Sequence, residues 1–448
     1  MTRTRQRVAQ PVDIVRRIHA LILKILGAFF VLTGVVLNEW LIAYYFSPHG
    51  RIASLAIRLI IWLFNLICIG WGVVHFFPRK QKLVKNVNFS LLVFVVSFVM
   101  IGEAAFRILI TTHYSKLCSP GLYANYDGFS DDYWKLSHLW DKREKPASPN
   151  RVHPLLGWSQ TDVDKDNPLG LWQETRQKLQ MDGHNKILFY GDSYVRGASD
   201  PEFTIPAYMS KRLVCDVADL GVGGYGTDQA YLLLRETYNK VKDPLIIFGI
   251  LMDDLNRSAL SVRTSQKPYF QINDRGVLEA HGIPIERDQE KFFREHPPKI
   301  KSYLLSYCFV QFSENYFARS RVMRVNSKII EEINQLAKEN HLDLLFVLFY
   351  EDYRWSKKDW KETFIKWELE SRHLPYVDAK DVIQIHQLSH VLPISAYYKA
   401  RDGHHNNLGN QVIAEAILSR LRSGLSFQRH LTMVASSKPY PLEPKRAS

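Results

Sequence analysis

The chain has 448 residues, with 58 Lys and Arg against 45 Asp and Glu, so its formal net charge is +13 at pH 7. Residues 1–110 hold thirteen of the basic residues and three acidic ones, which leaves only +3 for the other 338 residues. This distribution excludes a basic nucleic-acid-binding surface as the origin of the charge, and no nucleic-acid partner is predicted. The four cysteines have no regular spacing, and no group of Cys, His and acidic residues has metal-ligand spacing. We therefore predict no disulfide framework, no metal and no other cofactor.

The first predicted elements are three apolar stretches, at 18–46, 52–77 and 87–110. Each is long enough to cross a bilayer core of about 30 Å, so we predict three transmembrane helices. Basic residues precede the first stretch and fill the loop between the second and the third, whereas the loop 47–51 is nearly uncharged. The positive-inside rule then places the basic N-terminus, 1–17, in the cytoplasm and the chain after the third stretch on the other side of the membrane.

Three ionisable side chains, Glu39, Arg58 and Glu103, lie at a similar predicted depth in these stretches, about 10 Å from the outer surface at 1.5 Å per residue. Charged groups in hydrocarbon usually pair or face the interior of a helix bundle. One hypothesis is that the three residues form a single cluster that joins the helices. The alternative is that each side chain reaches the membrane surface independently.

Strands and helices alternate after a connecting segment at 111–185. Strands that alternate with helices indicate a parallel sheet covered on both faces, with functional side chains at the carboxyl ends of its strands. The predicted elements are strands at 186–190, 214–219, 244–251, 343–350 and 374–378, and helices at 203–213, 227–241, 327–340, 357–372 and 409–421.

We assign residues 186–422 to this α/β domain. An insertion at 258–326 interrupts the alternation and contains a hairpin signal at 268–280. Its place in the chain suggests a lid or an acceptor-binding flap, and a simple surface insertion is the alternative. The last segment, 423–448, is predicted to be a flexible tail.

Three segments of the domain carry a candidate site. The first, 190–197, follows the first strand directly and presents Ser193 at the end of the sheet. A serine hydroxyl becomes an effective nucleophile only when a base takes its proton and a carboxylate orients that base. Residues 401–410 offer Asp402 with two adjacent histidines, and 219–229 is a glycine-rich loop after the second strand. Each segment alone is also typical of an ordinary turn, but their joint occurrence in this order indicates a serine hydrolase site.

These segments resemble the SGNH (GDSL-type) hydrolase family over residues 186–420. The resemblance implies a three-layer, flavodoxin-like α/β fold with a parallel sheet and a nucleophile at Ser193. It also implies an oxyanion hole that includes the backbone N–H groups of Ser193 and Gly224. In the family an Asn-Asp pair follows the third strand, whereas here Asp253 stands at the position of the asparagine and Asp254 fits the aspartate.

The departure at Asp253 matters because an ionised carboxylate accepts hydrogen bonds but cannot donate one to an oxyanion. Three alternatives follow: Asp253 is protonated, Asn256 or Arg257 supplies the donor, or the hole uses backbone N–H groups alone. The loss of one oxyanion donor typically lowers turnover by about 10²- to 10³-fold, so we expect a slow or highly selective enzyme.

The choice of base depends on spacing. The family pattern Asp-Gly-His-x-Asn-x-x-Gly fits the chain with His404, Asn406 and Gly409 in register, which favours His404. The pattern Asp-x-x-His, also found in the family, would select His405 as the alternative base. In either case Asp402 is the orienting acid.

The sequence thus predicts a bacterial, membrane-anchored serine esterase or O-acyltransferase that acts outside the cytoplasm, in the periplasm or at the cell exterior. By family analogy alone its substrates are acylated glycans of the cell envelope or small esters. The alternative, motivated by Asp253, is a catalytically weak carbohydrate-binding or scaffolding protein that retains the fold. The oligomeric state does not follow from the sequence.

Overall fold

A computed structural model describes residues 11–36, 38–40, 55–77, 102–108, 126–141, 145–180, 186–197, 200–213, 215–311, 315–352, 355, 359–400 and 402–424. The chain divides into two compact units. The first comprises residues 1–125 with Ser302–Leu304, and the second comprises 126–301 with 305–448.

Two long helices dominate the described part of the first unit, α1 (Pro11–Val36) and α2 (Leu55–Val74). They pack closely because glycines face the neighbouring helix. A Cβ added to Gly72 would lie 2.7 Å from the carbonyl oxygen of Gly27, and one added to Gly34 would lie 2.9 Å from that of Asn65. A side chain at either position would therefore push the two helices apart.

The three predicted membrane spans are only partly covered by the described residues. Residues 37, 41–46, 52–54, 87–101 and 109–110 lie outside them, so the third span is represented by the helical segment 102–108. Among the residues that the structure describes, no helix has both the length and the apolar composition needed to cross a membrane.

The predicted cluster of Glu39, Arg58 and Glu103 is only partly correct, because Glu103 takes a different partner. Arg58 Nε lies 2.6 Å from Glu39 Oε1, so these two residues do pair. Glu103 instead forms an ion pair with Arg107 at 2.7 Å. Its carboxylate also accepts hydrogen bonds from Ser302 Oγ and from the backbone N–H groups that follow Ser302. The i, i+4 spacing of Glu103 and Arg107 on one helical segment satisfies the glutamate locally.

The second unit contains the described strands. In chain order they are β1 (Val152–His153), β2 (Gly157–Trp158), β3 (Lys186–Gly191), β4 (Asp216–Gly221), β5 (Leu245–Leu251), β6 (Val262–Arg263), β7 (Ser265–Gln266), β8 (Tyr269–Ile272), β9 (Leu278–His281), β10 (Asp343–Phe349) and β11 (Tyr376–Asp378). The helices after α2 are α3 (Asp131–Leu136), α4 (Gln173–Gln180), α5 (Ser193–Arg196), α6 (Ile205–Arg212), α7 (Thr227–Thr237), α8 (Asp254–Arg257), α9 (Gln289–Glu295), α10 (Tyr303–Phe309), α11 (Asn315–Glu339), α12 (Trp360–Ser371), α13 (Ala379–His390) and α14 (Asn407–Ser423).

A five-stranded sheet of order β11-β10-β5-β3-β4 forms the centre of the described domain, and all of its neighbouring strands are parallel. In chain order this is 2-1-3-4-5, the flavodoxin-like order, so the predicted α/β fold with a parallel sheet is confirmed. Every residue of β3, β5 and β10 is buried, as expected for parallel strands that are covered on both faces.

Helices cover both faces of this sheet and make three layers. On one face Ile187 and Phe189 share a buried core with Met209 of α6 and Ile413 of α14. On the other face the hydroxyl of Tyr190 hydrogen-bonds to Thr237 of α7 at 2.8 Å. Helix α11 begins at residue 315 rather than at the predicted 327, and α13 was not predicted.

The insertion contains the predicted hairpin, because β8 and β9 pair in antiparallel register. A fully buried lysine joins the insertion to the sheet domain. The ammonium group of Lys267 forms an ion pair with Asp228 of α7, and neither side chain is exposed. The same ammonium donates to the carbonyl oxygens of Leu260 at 3.0 Å, Arg257 at 3.1 Å and Pro268 at 2.8 Å.

Candidate active site

Ser193 lies at the carboxyl end of β3, at the first residue of α5. The strand ends at Gly191, whose φ of +152° and crowded surroundings require a glycine: a Cβ there would lie 2.6 Å from the side chain of Val195. The next residue, Asp192, caps the short helix by accepting the backbone N–H of Tyr194 at 2.8 Å. This turn presents Ser193 at the edge of the sheet where the strands end, as the sequence predicted.

The structure brings His404 and Asp402 to this serine. His404 Nε2 lies 2.8 Å from Ser193 Oγ, and His404 Nδ1 lies 2.8 Å from Asp402 Oδ1. The backbone N–H of Lys399 donates to the carbonyl oxygen of His404 at 2.8 Å, which fixes the loop between Lys399 and His404. The geometry therefore allows a proton to pass from the serine hydroxyl to an imidazole that a carboxylate orients.

Tyr194 supports His404, a role that the sequence did not reveal. Its ring stacks on that of His404 with centroids 4.7 Å apart. Its hydroxyl donates to the carbonyl oxygen of Gly403 at 2.6 Å. The residue that follows the serine thus also holds the loop that carries the histidine.

His405 does not act on the serine. It is buried among Tyr194, Phe349 and Tyr398, and neither of its ring nitrogens has a hydrogen-bond partner among the described residues. Burial, together with the neighbouring His404, lowers the pKa of His405 to about 3. The alternative base is therefore excluded by position: an imidazole packed into the core cannot reach the Ser193 hydroxyl.

The glycine-rich loop lies next to the serine. A Cβ added to Gly223 would be 3.9 Å from Ser193 Cβ, and Gly224 adopts a φ of +80°. In the described part of the chain, no backbone acceptor is found for the N–H of Ser193 or of Gly224. Both N–H groups are thus available to a developing oxyanion, as the family resemblance implies.

Asp253 cannot fill the donor position of the family asparagine. Lys361 Nζ lies 2.9 Å from Asp253 Oδ1, and the lysine side chain is fully buried. An ammonium group at this distance favours the ionised carboxylate, which only accepts hydrogen bonds. The structure thus argues against a protonated Asp253 and against Asp253 as an oxyanion donor.

The other two donors considered from the sequence belong to α8, directly after β5. Arg257 Nη1 contacts Asp192 Oδ2 at 3.0 Å, Asp254 Oδ1 at 2.6 Å and the carbonyl oxygen of Tyr225 at 3.2 Å. This arginine joins the turns after β3, β4 and β5. Asn256 of α8 is fully buried, and neither polar atom of its side-chain amide has a hydrogen-bond partner among the described residues.

Arg263 and Trp158 also border the glycine turn, although no sequence pattern pointed to them. The indole N–H of Trp158 donates to the carbonyl oxygen of Gly223 at 3.0 Å. A Cβ added to Gly224 would collide with Arg263 Nη1 and would lie 3.1 Å from Arg263 Cζ. Both residues come from segments outside the three motifs, so only the fold reveals them. No cluster of three or more His, Cys, Asp or Glu that could hold a metal ion is found among the described residues.

Comparisons with known proteins give only remote likenesses. No family model and no curated protein matches the chain. Among solved structures, a two-domain esterase active on acetylated mannans is similar at 12% identity and a TM-score of 0.33, over 60% of this chain and 56% of that one. The match thus spans little more than half of that esterase.

Two smaller proteins are matched over almost their whole length. An acetylxylan esterase from Geobacillus stearothermophilus has 13% identity and a TM-score of 0.32, over 54% of this chain and 95% of that one. A member of the G-D-S-L lipolytic family from Veillonella parvula has 13% identity and a TM-score of 0.31, over 52% of this chain and 96% of that one. Scores this low do not establish a shared fold, so the fold assignment rests on the strand order.

Proposed function

We propose that the chain is an SGNH-type serine esterase or O-acyltransferase that acts on ester-linked acyl groups. The observation that carries the proposal is the pair of 2.8 Å contacts that link Ser193 Oγ to His404 and His404 to Asp402. These contacts lie at the carboxyl ends of the strands of a flavodoxin-like sheet, where sites on such folds open.

The reaction proceeds through a covalent acyl-enzyme. Ser193 Oγ bonds to the acyl carbon, the carbonyl electron pair moves to the oxygen, and the hydroxyl proton passes to His404 Nε2. The bond to the alcohol then breaks as His404 returns that proton to the leaving oxygen. Water attacks the acyl-enzyme in hydrolysis, and a sugar hydroxyl attacks it in acyl transfer. In both cases His404 takes the proton of the attacking group and Ser193 is regenerated.

A fluorophosphonate probe tests the nucleophile directly. We expect the purified full chain to be labelled, and Ser193→Ala to abolish the label. Ser389→Ala is the matched control, because Ser389 is an exposed serine of α13 that hydrogen-bonds only to its own helix. Wild-type protein that is folded but unlabelled would contradict the proposal.

Absence of labelling would favour the non-catalytic alternative, a carbohydrate-binding or scaffolding protein. The specific observation behind this alternative is the Asp253–Lys361 ion pair at the position where the family has a donor. If the probe does label Ser193, product analysis of an acetylated glycan with and without an added glycan acceptor separates hydrolysis from transfer.

Membrane anchoring, location outside the cytoplasm and the acylated-glycan substrate belong to the same proposal. Support for the anchor comes from the apolar stretches and the basic residues of the sequence, and from large apolar side chains that are exposed on α1 and α2. Leu32 of α1 is 64% exposed and Leu66 of α2 is 72% exposed. Alkaline phosphatase fused after residue 424 should be active in intact bacteria, and activity of the fusion only after lysis would contradict this location.

A further inference from the structure

The candidate site lacks a side-chain donor for the oxyanion at the expected position. Asp253 is held as an acceptor by Lys361, which is itself fully buried. Arg257 Nη1 already contacts two carboxylates and a carbonyl oxygen, and Asn256 is fully buried. Backbone N–H groups alone would leave the developing charge with fewer donors than an oxyanion hole usually offers.

Arg263 contacts the glycine turn beside the nucleophile. Its guanidinium group packs against Gly224 in the space that the missing side chain leaves open, with Cζ 3.1 Å from the position of a Cβ. The adjacent Gly223 approaches Ser193, with 3.9 Å between its own Cβ position and Ser193 Cβ. The guanidinium therefore lies against the same glycine turn that borders the nucleophile, and it is half-buried.

Several contacts hold Arg263 in this position. Its guanidinium lies over the ring of Trp134, with Cζ 5.3 Å from the ring centroid. Asp131 of the same helix, α3, accepts hydrogen bonds from Ser261 Oγ at 2.6 Å and from the backbone N–H groups of Ser261 and Val262 at 2.9 and 3.3 Å. Strand β6 is thereby fixed to α3, so the arginine is placed before a substrate arrives, as transition-state stabilisation requires.

We propose that Arg263 donates a hydrogen bond to the carbonyl oxygen of the bound ester as that oxygen becomes an oxyanion, in the role that Asp253 cannot fill. The inference rests on the proposed esterase or acyltransferase function. A guanidinium keeps its charge at all relevant pH values and carries five N–H donors, so it can serve the oxyanion while it keeps other contacts. A charge-assisted hydrogen bond also strengthens as the negative charge develops.

Steady-state kinetics of the full-length protein with p-nitrophenyl acetate test this role. Arg263→Gln should lower kcat by about 10²- to 10³-fold and change KM by less than about threefold, because the donor acts mainly in the transition state. Arg263→Lys should recover about tenfold of the loss, since an ammonium group also donates. Arg275→Gln, on the exposed turn between β8 and β9, is the control and should match wild type.

A second measurement covers the chance that turnover is too slow to follow. Phenylboronic acid forms a tetrahedral adduct with an active serine, and its binding can be followed by tryptophan fluorescence. Arg263→Gln should weaken this binding tenfold or more, and Ser193→Ala should abolish it. Activities are normalised to the fraction of folded protein, so a merely structural effect of the variant would appear in thermal stability alone.

The outcomes separate the two proposals. Ser193-dependent turnover or boronate binding that Arg263→Gln leaves within threefold of wild type overturns the role of Arg263 and leaves the esterase function intact. An increase in KM with kcat unchanged also overturns it, because that pattern belongs to ground-state binding. A folded wild-type protein without turnover and without Ser193-dependent boronate binding overturns both.

Discussion

The two halves of the candidate site are built in different ways. The proton-transfer half consists of Ser193, His404 and Asp402, which come from two short segments of the chain. One hydrogen bond joins Ser193 to His404, and a second joins His404 to the Asp402 carboxylate. The oxyanion half consists of the Gly223–Gly224 turn and its neighbours Asp253 and Arg263. Here the contacts are long-range ion pairs and packing contacts, and one partner comes from the insertion.

The difference indicates how each half can vary. The proton-transfer half needs a fixed order of hydrogen bonds, so a substitute for any member must place its donors and acceptors at the same positions. The oxyanion half needs only a donor at the right place, which any segment of the fold can supply. Asp253, at the position where the SGNH family has an asparagine, is therefore compatible with activity, provided that another donor approaches the same turn.

The largest effect is expected from the two adjacent histidines. His404→Ala should lower kcat for ester hydrolysis by about 10⁴-fold or more, because it removes the imidazole that lies 2.8 Å from Ser193 Oγ. His405→Leu should leave kcat within about threefold of wild type, since the ring of His405 only packs in the core. Steady-state kinetics of the two variants would break the assignment if their effects were reversed.

Asp402→Asn should have the next largest effect, a fall in kcat of about 10³-fold. Asparagine keeps the shape of the side chain but loses the charge that stabilises the imidazolium and selects its tautomer. Asp402 is 43% exposed, so water screens part of this charge and the loss should be smaller than for a buried acid. A fall in kcat of less than tenfold would indicate that another carboxylate orients His404.

Gly224→Ala should lower kcat by about 10²-fold through the oxyanion half. The new methyl group would collide with the Arg263 guanidinium, and a φ of +80° strains any residue with a Cβ. Gly276→Ala is the matched control, because Gly276 has a φ of +76° but no atom within 4 Å of the added Cβ. The control should lose only about 1 kcal/mol of stability and no activity. Equal losses of kcat in both variants would mean that strain alone explains the effect.

The last prediction concerns how the free energy of unfolding, rather than activity, depends on pH. Burial lowers the pKa of His153 to about 4 and that of His405 to about 3, against an ordinary value near 6.5. Below about pH 6.5 the unfolded chain therefore binds protons that the folded chain does not. The free energy of unfolding should fall as the pH falls from about 6.5 to about 4, by about 1.4 kcal/mol per pH unit for each histidine.

Urea unfolding at pH 7 and pH 5 measures this dependence. His405→Leu should remove the contribution of His405 to the pH dependence of the free energy of unfolding. The contribution of His153 should remain. His153 Nδ1 accepts the backbone N–H groups of Leu155 and Leu156 at 3.1 Å each, contacts that protonation of this nitrogen would remove. An unchanged pH dependence in His405→Leu would show that folding does not lower the pKa of His405.

The sequence predicted the sheet and the proton-transfer half because both have local signals. Apolar runs mark the buried strands, and the short motifs around Ser193 and His404 determine turns that end at a strand and begin a helix. The helix at 379–390 was missed, although Asp378 caps it by accepting the backbone N–H groups of Lys380 and Asp381. That signal, an acidic N-cap directly after a strand, could have found it.

The oxyanion half was predicted only in part, for a physical reason. Arg263 and Trp158 reach the Gly223–Gly224 turn through tertiary packing, across separations that no spacing rule describes. The ion pair of Asp253 depends on Lys361, more than one hundred residues away. The sequence likewise did not predict the partner of Glu103. Glu39, Arg58 and Glu103 have a similar predicted depth in their apolar stretches, but Glu103 pairs with Arg107.

The buried ammonium of Lys267 has a consequence for engineering of this molecule. Lys267 is the only residue with which Asp228 of α7 forms an ion pair in the part of the chain that the structure describes. Excision of the insertion would remove this lysine. A carboxylate left buried there without its partner would cost several kcal/mol, so replacement of Asp228 by an uncharged residue is expected to stabilise a shortened chain. Grafting the segment onto a related scaffold likewise requires an acidic acceptor on the receiving helix.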